Sequence, residues 1–376
     1  MTLTAFSHKF NGEYDLSQYK NLYLQNVGNS LLDIQFRNFV AEDVECPHCN
    51  AKGAYIVNSG YSKLTKQAVR QEHFAFKGED GRDAHKFFCD YYTGSDKHKV
   101  ASNEGLITAT KYSRNFSTKI IRSYICKGIS LGLFSQLDIR NMREWFFELR
   151  SQKEYKLKDC YHALWILKFI LYNHYKKTTV YEVDKSKLEY DNFDIDKETY
   201  KSLATRFQVP NLDEDGRNAI LGLSLSHFFK KSLQIVQNEK DLWTFNRGFL
   251  EEKFRITTKL ATTILTMSPI LRESPTNKPF KVMTDNPTMA YAALLLFISN
   301  WSYELALDKH KRINNDCSEV DNDNLGNVMG LNPFVFFSSW MAIEFAQRWK
   351  STAWDVEFEK EFQNERERLR ACYEIS

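Results

Sequence analysis

The chain has 376 residues, of which 43% are hydrophobic and 14% aromatic, a composition that is typical of a folded globular protein and excludes a disordered chain. Its formal net charge of only +3 at pH 7 excludes a strongly basic or strongly acidic protein. The seven cysteines are an odd and scattered set, the amino terminus lacks the apolar segment of a signal peptide, and no stretch is apolar for long enough to span a bilayer, so we expect a cytoplasmic protein with reduced thiols.

Residues 13–45 are predicted to form a β-hairpin or a pair of edge strands. The segments 21–25 and 32–37 alternate polar and apolar residues, as half-buried strands do, and the segment 26–29 between them contains turn-forming asparagine and glycine. These strands would lead directly into the first metal-binding motif.

A Cys-Pro-His-Cys motif at Cys46–Cys49 predicts a zinc site. A C-x2-C pair forms a tight turn that directs two thiolates at one cation, and tetrahedral Zn²⁺ takes two further nitrogen or sulfur ligands from elsewhere in the chain. The candidates for these positions are His73, His85 and Cys89. His48 lies inside the turn and is not expected to reach the ion.

Two ligand sets remain open at this point. One completes the cysteine pair with His73 and Cys89, and the other replaces His73 by His85. We favour His73, with His85 as its substitute, because the segment around His73 alternates as a strand does and Phe74 and Phe76 would cover the metal. A shell of four protein ligands that includes thiolates is typical of structural zinc.

Residues 54–57 and 69–76 are predicted to be the strands of a zinc ribbon. The segment that joins them is basic, and basic hairpin tips of this kind contact nucleic-acid phosphates. The candidate contact residues of this tip are Lys63, Lys66 and Arg70.

The segment 44–90 resembles the zinc ribbon that opens CoiA-like competence proteins. The likeness lies in Val44–Cys49 (Val-Glu-Cys-Pro-His-Cys), the basic hairpin, His73–Phe76 (His-Phe-Ala-Phe) and Cys89–Asp90. In that family a cysteine pair is followed by a His-Phe-Ala-His element and a further cysteine, and this chain has Phe76 where the second histidine would stand. The resemblance implies a nuclease domain of the restriction-endonuclease type beside the ribbon and a role in the bacterial handling of incoming DNA.

A basic amphipathic helix is predicted after residue 104. Apolar side chains recur every four residues from Tyr112 through Phe116 to Tyr124, and Thr118 falls on the opposite, basic side. The segment 105–176 has 13 Lys and Arg against 5 Asp and Glu, a net +8, whereas the segment 178–216 has a net charge of −5. We therefore expect this helix to contact phosphates through Lys111, Arg114 and Arg122.

The rest of the chain is predicted to be mainly helical. Asp138 would cap a helix that carries three arginines, residues 159–177 would form a buried helix, and residues 355–370 an amphipathic one. Two apolar segments, 289–307 and 333–349, would pair as a buried helical hairpin, and residues 178–185 would form a strand.

The predicted fold class is therefore α+β, predominantly α. It consists of a β-rich zinc-ribbon module at residues 1–100 and a mainly helical domain at residues 101–376, with a subdivision near residues 210–217, where an acidic, loop-rich segment ends.

The function that these patterns favour is that of a zinc-ribbon nucleic-acid-binding protein, with DNA as the preferred ligand, in bacterial foreign-DNA handling or anti-phage defence. The alternatives are a protein-interaction subunit whose partner carries the catalysis and a divergent metal-dependent nuclease. No P-loop, G-x-G-x-x-G, G-x-S-x-G or H-E-x-x-H motif is present, so the sequence names no catalytic residue.

Overall fold

The computed structural model of the chain describes residues 2, 4–28, 34–61, 68–70, 72–78, 81–89, 91–92, 107–108, 116–158, 160–172, 181, 193–207, 225–237, 241–272, 287–318, 330–348 and 357–373. The chain divides into two compact units: one is formed by Met1–Tyr155 with Thr244–Val335, and the other by Lys156–Trp243 with Phe336–Ser376. The boundaries predicted at residue 100 and near residues 210–217 stay predictions, and both lie outside the described residues.

The elements are mainly helices, with short antiparallel strands that are concentrated towards the amino terminus, so the predicted α+β, predominantly α class is confirmed. The described strands are β1 Thr4–Ser7, β2 Gly12–Asp15, β3 Val44–Glu45, β4 Ala54–Val57, β5 Gly60–Tyr61, β6 Ala68–Arg70, β7 His73–Phe76, β8 Ile107–Thr108, β9 Glu154–Leu157, β10 Leu242–Phe245 and β11 Gly330–Leu331. The described α-helices are α1 Leu16–Asn26, α2 Ile34–Asp43, α3 Phe116–Ser130, α4 Gln136–Gln152, α5 Cys160–Tyr172, α6 Ile195–Arg206, α7 Leu225–Val236, α8 Glu251–Met267, α9 Pro269–Arg272, α10 Pro287–Phe297, α11 Tyr303–Asn315, α12 Phe337–Arg348 and α13 Phe358–Tyr373.

The segments predicted as the two strands of a hairpin are helical: residues 21–25 lie in α1, and the described part of 32–37 lies in α2, so the predicted hairpin is wrong. Asp15 caps α1 by accepting a hydrogen bond from the Gln18 backbone N–H, and the Gln18 side chain accepts one from the Asp15 N–H in return. The buried Tyr19 and Tyr23 are then four residues apart on one face of the helix. The capping pair and this four-residue spacing outweigh the local alternation that predicted strands.

The amino-terminal core is built around the three-stranded sheet β2-β1-β3 and the pair β4-β7, in which the predicted ribbon strands meet in antiparallel register. Its buried side chains come from α1, α2, the strands and the cysteine segments, and Tyr19 and Phe36 are among the most deeply buried. The three cysteines of the zinc prediction, Cys46, Cys49 and Cys89, belong to this same core.

Helix α3 forms in the predicted region, but its orientation differs from the prediction. Thr118 and Ile121 are buried, whereas Phe116, which was assigned to the apolar side, is 49% exposed. The four-residue apolar repeat therefore marks the core face only in part: Tyr124 packs against the buried Tyr291, whereas Phe116 does not face the core. The short residues Ser117 and Gly128 also line that face. Gly128 lies directly against the Phe134 ring and leaves no room for a side chain.

Helix α4 begins at Ser135, three residues before the predicted cap. The Ser135 hydroxyl accepts a hydrogen bond from the Asp138 N–H and the Asp138 carboxylate accepts one from the Ser135 N–H, so the helix has a reciprocal capping box in which Asp138 is the third helical residue. The predicted helix is present, but the residue that caps it is serine.

The arginines of α4 lie inside the protein. Arg143 is 1% exposed and forms an ion pair with Glu13 of β2, and Arg140 forms one with Glu45 of β3. The guanidinium of Arg140 also lies 3.7 Å above the ring centre of Phe6 in β1. Part of the positive charge that the sequence assigned to an anion-binding surface therefore pairs with buried carboxylates.

A buried aromatic and polar cluster joins α3, α10 and α11. The ring centres of Tyr124 and Tyr291 lie 5.7 Å and 5.8 Å from that of His310, and the Tyr291 hydroxyl lies 3.3 Å from His310 Nδ1. Burial lowers the pKa of His310 to about 4. His310 is therefore neutral in the folded protein at physiological pH.

Acidification should weaken the fold through His310. Since the pKa of this imidazole is lower in the folded than in the unfolded chain, the unfolded chain binds the proton first, and the free energy of unfolding should fall as the pH falls from about 6.5 to about 4. The loss attributable to His310 is up to about 3 kcal/mol. Urea unfolding of the wild type and of His310→Gln at several pH values measures it, and parallel pH profiles of the two proteins would contradict the assignment.

The second unit packs α5 and α6 against the carboxy-terminal helix α13. Trp165 of α5 lies 5.8 Å from Phe358 and 5.6 Å from Phe362 between ring centres, and Glu365 of α13 accepts a hydrogen bond from Ser202 of α6. The predicted buried helix and the predicted amphipathic tail helix are both present, and the tail buries its apolar face.

The two apolar segments near the carboxy terminus form helices, but they do not pair as the predicted hairpin. Helix α10 packs against α3, α8 and α11 in the first unit, and α12 packs against α5 and α7 in the second. None of the helices in the described ranges is both long and apolar enough to cross a membrane. The predicted strand at residues 178–185 lies, except for Tyr181, outside those ranges.

Candidate metal centre

The Cys46–Cys49 motif forms a closed turn directly after β3. The Cys46 N–H donates to the Ala51 carbonyl at 2.9 Å and the Asn50 N–H donates to the Cys46 carbonyl at 3.1 Å. Asn50 has a φ of 56°, a left-handed conformation that asparagine tolerates better than most residues do. This turn brings Cys46 and Cys49 to the same side of the chain, and both are fully buried.

The second half of the site is the irregular segment from Asp83 to Cys89. The Asp83 carboxylate accepts a hydrogen bond of 2.9 Å from the His85 N–H, and the Cys89 N–H donates to the Lys86 carbonyl at 2.9 Å. Phe88 has a φ of 66°, so the chain reverses just before Cys89. His85 and Cys89 thereby face the cysteine turn.

Four ligand atoms meet between these two segments. They come from Cys46, Cys49, His85 and Cys89, all buried, and lie within 4.8 Å of one another. The Sγ atoms of Cys46 and Cys89 are 3.8 Å apart, and His85 Nδ1 is 3.6 Å from Cys49 Sγ and 3.5 Å from Cys89 Sγ. Three cysteines and one histidine in this arrangement could hold one metal ion.

The three thiols influence one another's ionisation. Burial raises the pKa of Cys46 and of Cys89, because a thiolate loses solvation in the core. Hydrogen bonds from these two thiols lower the pKa of Cys49, so Cys49 carries the negative charge most readily. A divalent cation among the sulfur atoms would favour the thiolate form of all three.

The histidine in this group is His85, the substitute ligand of the sequence prediction, and the favoured His73 does not belong to it. Alternate side chains of a strand point to opposite faces, and the ring of Phe76 in β7 lies 5.1 Å from that of His85. His73 is three residues before Phe76 in β7, where it pairs with Val57 of β4, and so it faces away from the cysteines. The segment around His73 is a strand, as predicted, but the alternation of its side chains places His73 on the face opposite to that of Phe76 and the cysteines.

Other residues fix the orientation of the His85 ring. Its Nε2 lies 3.5 Å from the Thr2 hydroxyl, which leaves Nδ1 for a metal, and a partner of this kind on the second ring nitrogen is usual for metal-binding histidines. The Tyr91 ring lies 5.8 Å from His85 and 5.0 Å from His48. His48 is buried inside the turn and outside the group of ligand atoms, as predicted. No sequence pattern points to Thr2, which is 83 positions from its partner.

Helix α4 holds both ends of the cysteine turn. Arg140 pairs with Glu45, the residue before Cys46, and its Nη2 donates to Asn50 Oδ1 at 3.2 Å just after Cys49. Glu144 accepts hydrogen bonds from Arg140 Nε at 3.0 Å and from Asn50 Nδ2 at 3.3 Å. This closed network fixes the turn from outside the metal group, and charge counting along the sequence does not reveal it.

The predicted nucleic-acid contacts are only partly described. Lys63, Lys66, Lys111 and Arg114 lie outside the described residues, and Arg70 is described as a residue of β6 without its side chain. Arg122 is half-buried on α3 and takes part in contacts within the protein.

No protein-family model, curated protein or solved structure matches the chain.

Proposed function

We propose that the four-residue group binds Zn²⁺. A tetrahedral site with zinc–sulfur bonds of about 2.3 Å and a zinc–nitrogen bond of about 2.0 Å has sulfur–sulfur edges of about 3.8 Å and sulfur–nitrogen edges of about 3.5 Å. The Cys46–Cys89, Cys49–His85 and Cys89–His85 separations are 3.8, 3.6 and 3.5 Å. This agreement is the observation that carries the proposal, and a set of three thiols and one imidazole favours zinc over the hard cations calcium and magnesium.

The zinc has a structural role in this proposal. Four protein ligands complete a tetrahedral shell and leave no position for a reactive water. The ion joins the Cys46–Cys49 turn to the segment that ends at Cys89, and both belong to the amino-terminal core. Binding of the metal therefore adds directly to the stability of this part of the fold.

The second step of the proposal concerns nucleic acid. The amino-terminal region binds nucleic acid, with DNA as the preferred ligand. The support is the excess of Lys and Arg in the segment 105–176 apart from the buried Arg140, Arg143 and Arg150, the basic tip with Lys63 and Lys66, and the resemblance of the segment 44–90 to the ribbon of CoiA-like competence proteins. That resemblance is also the support for a role in bacterial foreign-DNA handling or anti-phage defence. The two alternative functions, a protein-interaction subunit and a metal-dependent nuclease, predict different results in the experiment below.

One experiment tests both steps. The zinc content of the purified protein is measured, and its binding to labelled single-stranded DNA, duplex DNA and RNA is followed from low to high salt, with Mg²⁺ present and the products separated on a gel. We expect one zinc per chain and binding that weakens steeply with salt, because phosphate contacts release counterions. The variant Lys111→Glu/Arg114→Glu should bind more weakly at low salt, whereas Lys230→Glu/Lys360→Glu, which changes two exposed lysines of the other unit that lie outside the segment 105–176, is the charge-matched control.

Each outcome has a definite meaning. Chains that purify without zinc and do not take it up would overturn the metal proposal. Zinc-loaded protein that binds none of the three nucleic acids at low salt would overturn nucleic-acid binding and favour the interaction subunit. Cleavage that chelation of Mg²⁺ abolishes would establish a nuclease in place of a binding protein.

A further inference from the structure

An aromatic and basic patch lies on the first unit and is formed by residues other than those that the sequence assigned to nucleic acid. Its first side is α4, on which the half-buried Trp145 and Lys153 are two turns apart with Leu149 between them. Residues four apart on a helix lie over one another, so Trp145, Leu149 and Lys153 follow one side of α4 to its carboxy-terminal end. The Lys153 ammonium lies 4.5 Å from the ring centre of Phe249.

The second side of the patch is the start of α8. Phe249 is 56% exposed, an unusual position for a large apolar ring, and it lies in the single 3₁₀ turn that precedes the helix. Lys253 follows it by four residues, and its ammonium lies 5.2 Å from the ring centre of Trp301. Phe249 and Lys253 are therefore neighbours on the surface.

The third side is the turn between α10 and α11, where Trp301 has a φ of 61°. A bulky side chain is an outlier in this left-handed region, and such a conformation persists where the surrounding structure imposes it. Here the Trp301 N–H donates to the Leu296 carbonyl at 2.7 Å. The indole is thereby held 5.5 Å from that of Trp145.

Three contacts link these residues in pairs: Trp145 packs on Trp301, Lys253 lies over Trp301, and Lys153 lies over Phe249. The two groups are joined by sequence spacing, since Phe249 precedes Lys253 by four residues and Lys153 follows Trp145 along one side of α4. Within the described ranges neither Lys153 nor Lys253 forms an ion pair, and the nearby Glu251 is engaged with Arg255. The surface thus offers three aromatic rings and two cations without carboxylate partners.

We propose that this patch, formed by Trp145, Lys153, Phe249, Lys253 and Trp301, binds single-stranded nucleic acid. Unpaired bases stack on the exposed Phe249 ring and on the accessible parts of the half-buried Trp145 and Trp301, and the two ammonium groups contact the backbone phosphates that flank the stacked bases. Duplex bases are already stacked in the helix, so the patch discriminates against double strands. The inference rests on the proposed nucleic-acid-binding function. It specifies the surface that binds and the preference for single-stranded over double-stranded nucleic acid.

The test uses the zinc-loaded full-length protein and fluorescein-labelled oligothymidylate and duplex DNA in anisotropy titrations at low salt. Lys153→Glu/Lys253→Glu and Phe249→Ala should each weaken oligothymidylate binding about tenfold or more, because each removes a phosphate or a base contact. Phe249→Tyr, which keeps a ring, should bind more tightly than Phe249→Ala, and Lys230→Glu/Lys360→Glu, which makes the same charge change on the other unit, should bind as the wild type does. Oligothymidylate should also quench the tryptophan fluorescence, and Trp145→Phe should reduce the quenching.

The failures of the two proposals are distinguishable. Wild-type protein that binds no nucleic acid overturns the proposed function and this site together. Wild-type protein that binds, with undiminished affinity in Lys153→Glu/Lys253→Glu and Phe249→Ala, overturns this site alone and returns attention to Lys111 and Arg114. A preference of the wild type for duplex DNA also contradicts the patch.

Discussion

Replacing His85 by alanine should release the metal, whereas the same replacement at His73 should leave it bound. His85 Nδ1 lies within 3.6 Å of two of the three sulfur atoms, and His73 is outside the group. Loss of an outer-shell partner typically lowers metal affinity by roughly 10- to 100-fold, and loss of a ligand itself should lower it by more. Zinc content after gel filtration in a weak chelator measures the difference.

The two histidines are a closely matched pair for this comparison. Each is 8% exposed, and each replacement removes one imidazole from the amino-terminal core, so the loss of packing is similar. Only the response to metal separates them: added Zn²⁺ should raise the melting temperature of metal-stripped His73→Ala and leave that of His85→Ala unchanged, because a ligand stabilises only a protein that binds it. Zinc retained by His85→Ala and lost by His73→Ala would instead restore the ligand set that the sequence favoured.

The sequence predicted the cysteines of this site well because their chemistry is local. The Cys46–Cys49 spacing determines a turn on its own, and Cys89 was the remaining sulfur ligand within reach. The choice between His73 and His85 depends on which face of β7 meets the cysteines, and no pattern within one strand supplies that information. The contact between Phe76 and His85 settles it in the folded chain.

The two amino-terminal helices show the opposite case. Here the local sequence contains helix signals, but a short polar–apolar alternation predicts strands instead. Asp15 and Gln18 are spaced as a capping box, and Tyr19 and Tyr23 as a buried helical pair. The alternation in residues 21–25 covers only five positions, too few to outweigh a cap and a helical repeat. In the same region, Asp43 accepts a hydrogen bond of 2.8 Å from the Tyr19 hydroxyl, a pairing between α1 and α2 that no local pattern reports.

The net charge counted along the sequence overestimates the basic surface of the folded protein, for a different physical reason. A net charge for the segment 105–176 treats every arginine as a surface group, yet Arg140, Arg143 and Arg150 are buried. The partners of Arg143 and Arg140, Glu13 and Glu45, lie about a hundred positions earlier and therefore fall outside the counted segment. The basic surface of the folded protein is consequently smaller than the sequence indicates, and its remaining candidates include lysines that stand over aromatic rings, such as Lys153 and Lys253.

Removing the buried Arg143 should destabilise the first unit more than removing any exposed arginine. Arg143 is 1% exposed and pairs with the 7% exposed Glu13, so Arg143→Met leaves a carboxylate in the core without its cation. Removing one partner of a buried ion pair typically lowers the free energy of unfolding by about 3–5 kcal/mol. Urea unfolding of Arg143→Met should therefore show a loss of that size, whereas Arg255→Met, which removes the exposed partner of Glu251 in the same unit, should change the free energy of unfolding by less than about 1 kcal/mol.

The double variant Arg143→Met/Glu13→Gln identifies the cause of the loss. If the uncompensated Glu13 charge is responsible, replacing Glu13 by neutral glutamine should restore a large part of the stability that Arg143→Met loses, because burying an unpaired charge costs far more than burying a hydrogen-bonded amide. Glutamine can still accept the hydrogen bond that the Thr4 hydroxyl donates to Glu13. Equal losses in the single and double variants would show that the Arg143 contribution is packing against its neighbours. Since α4 also holds the cysteine turn through Arg140, metal-stripped and zinc-loaded samples of each variant should be compared, and a loss that is larger without zinc would show that the ion and the buried pair stabilise the same part of the fold.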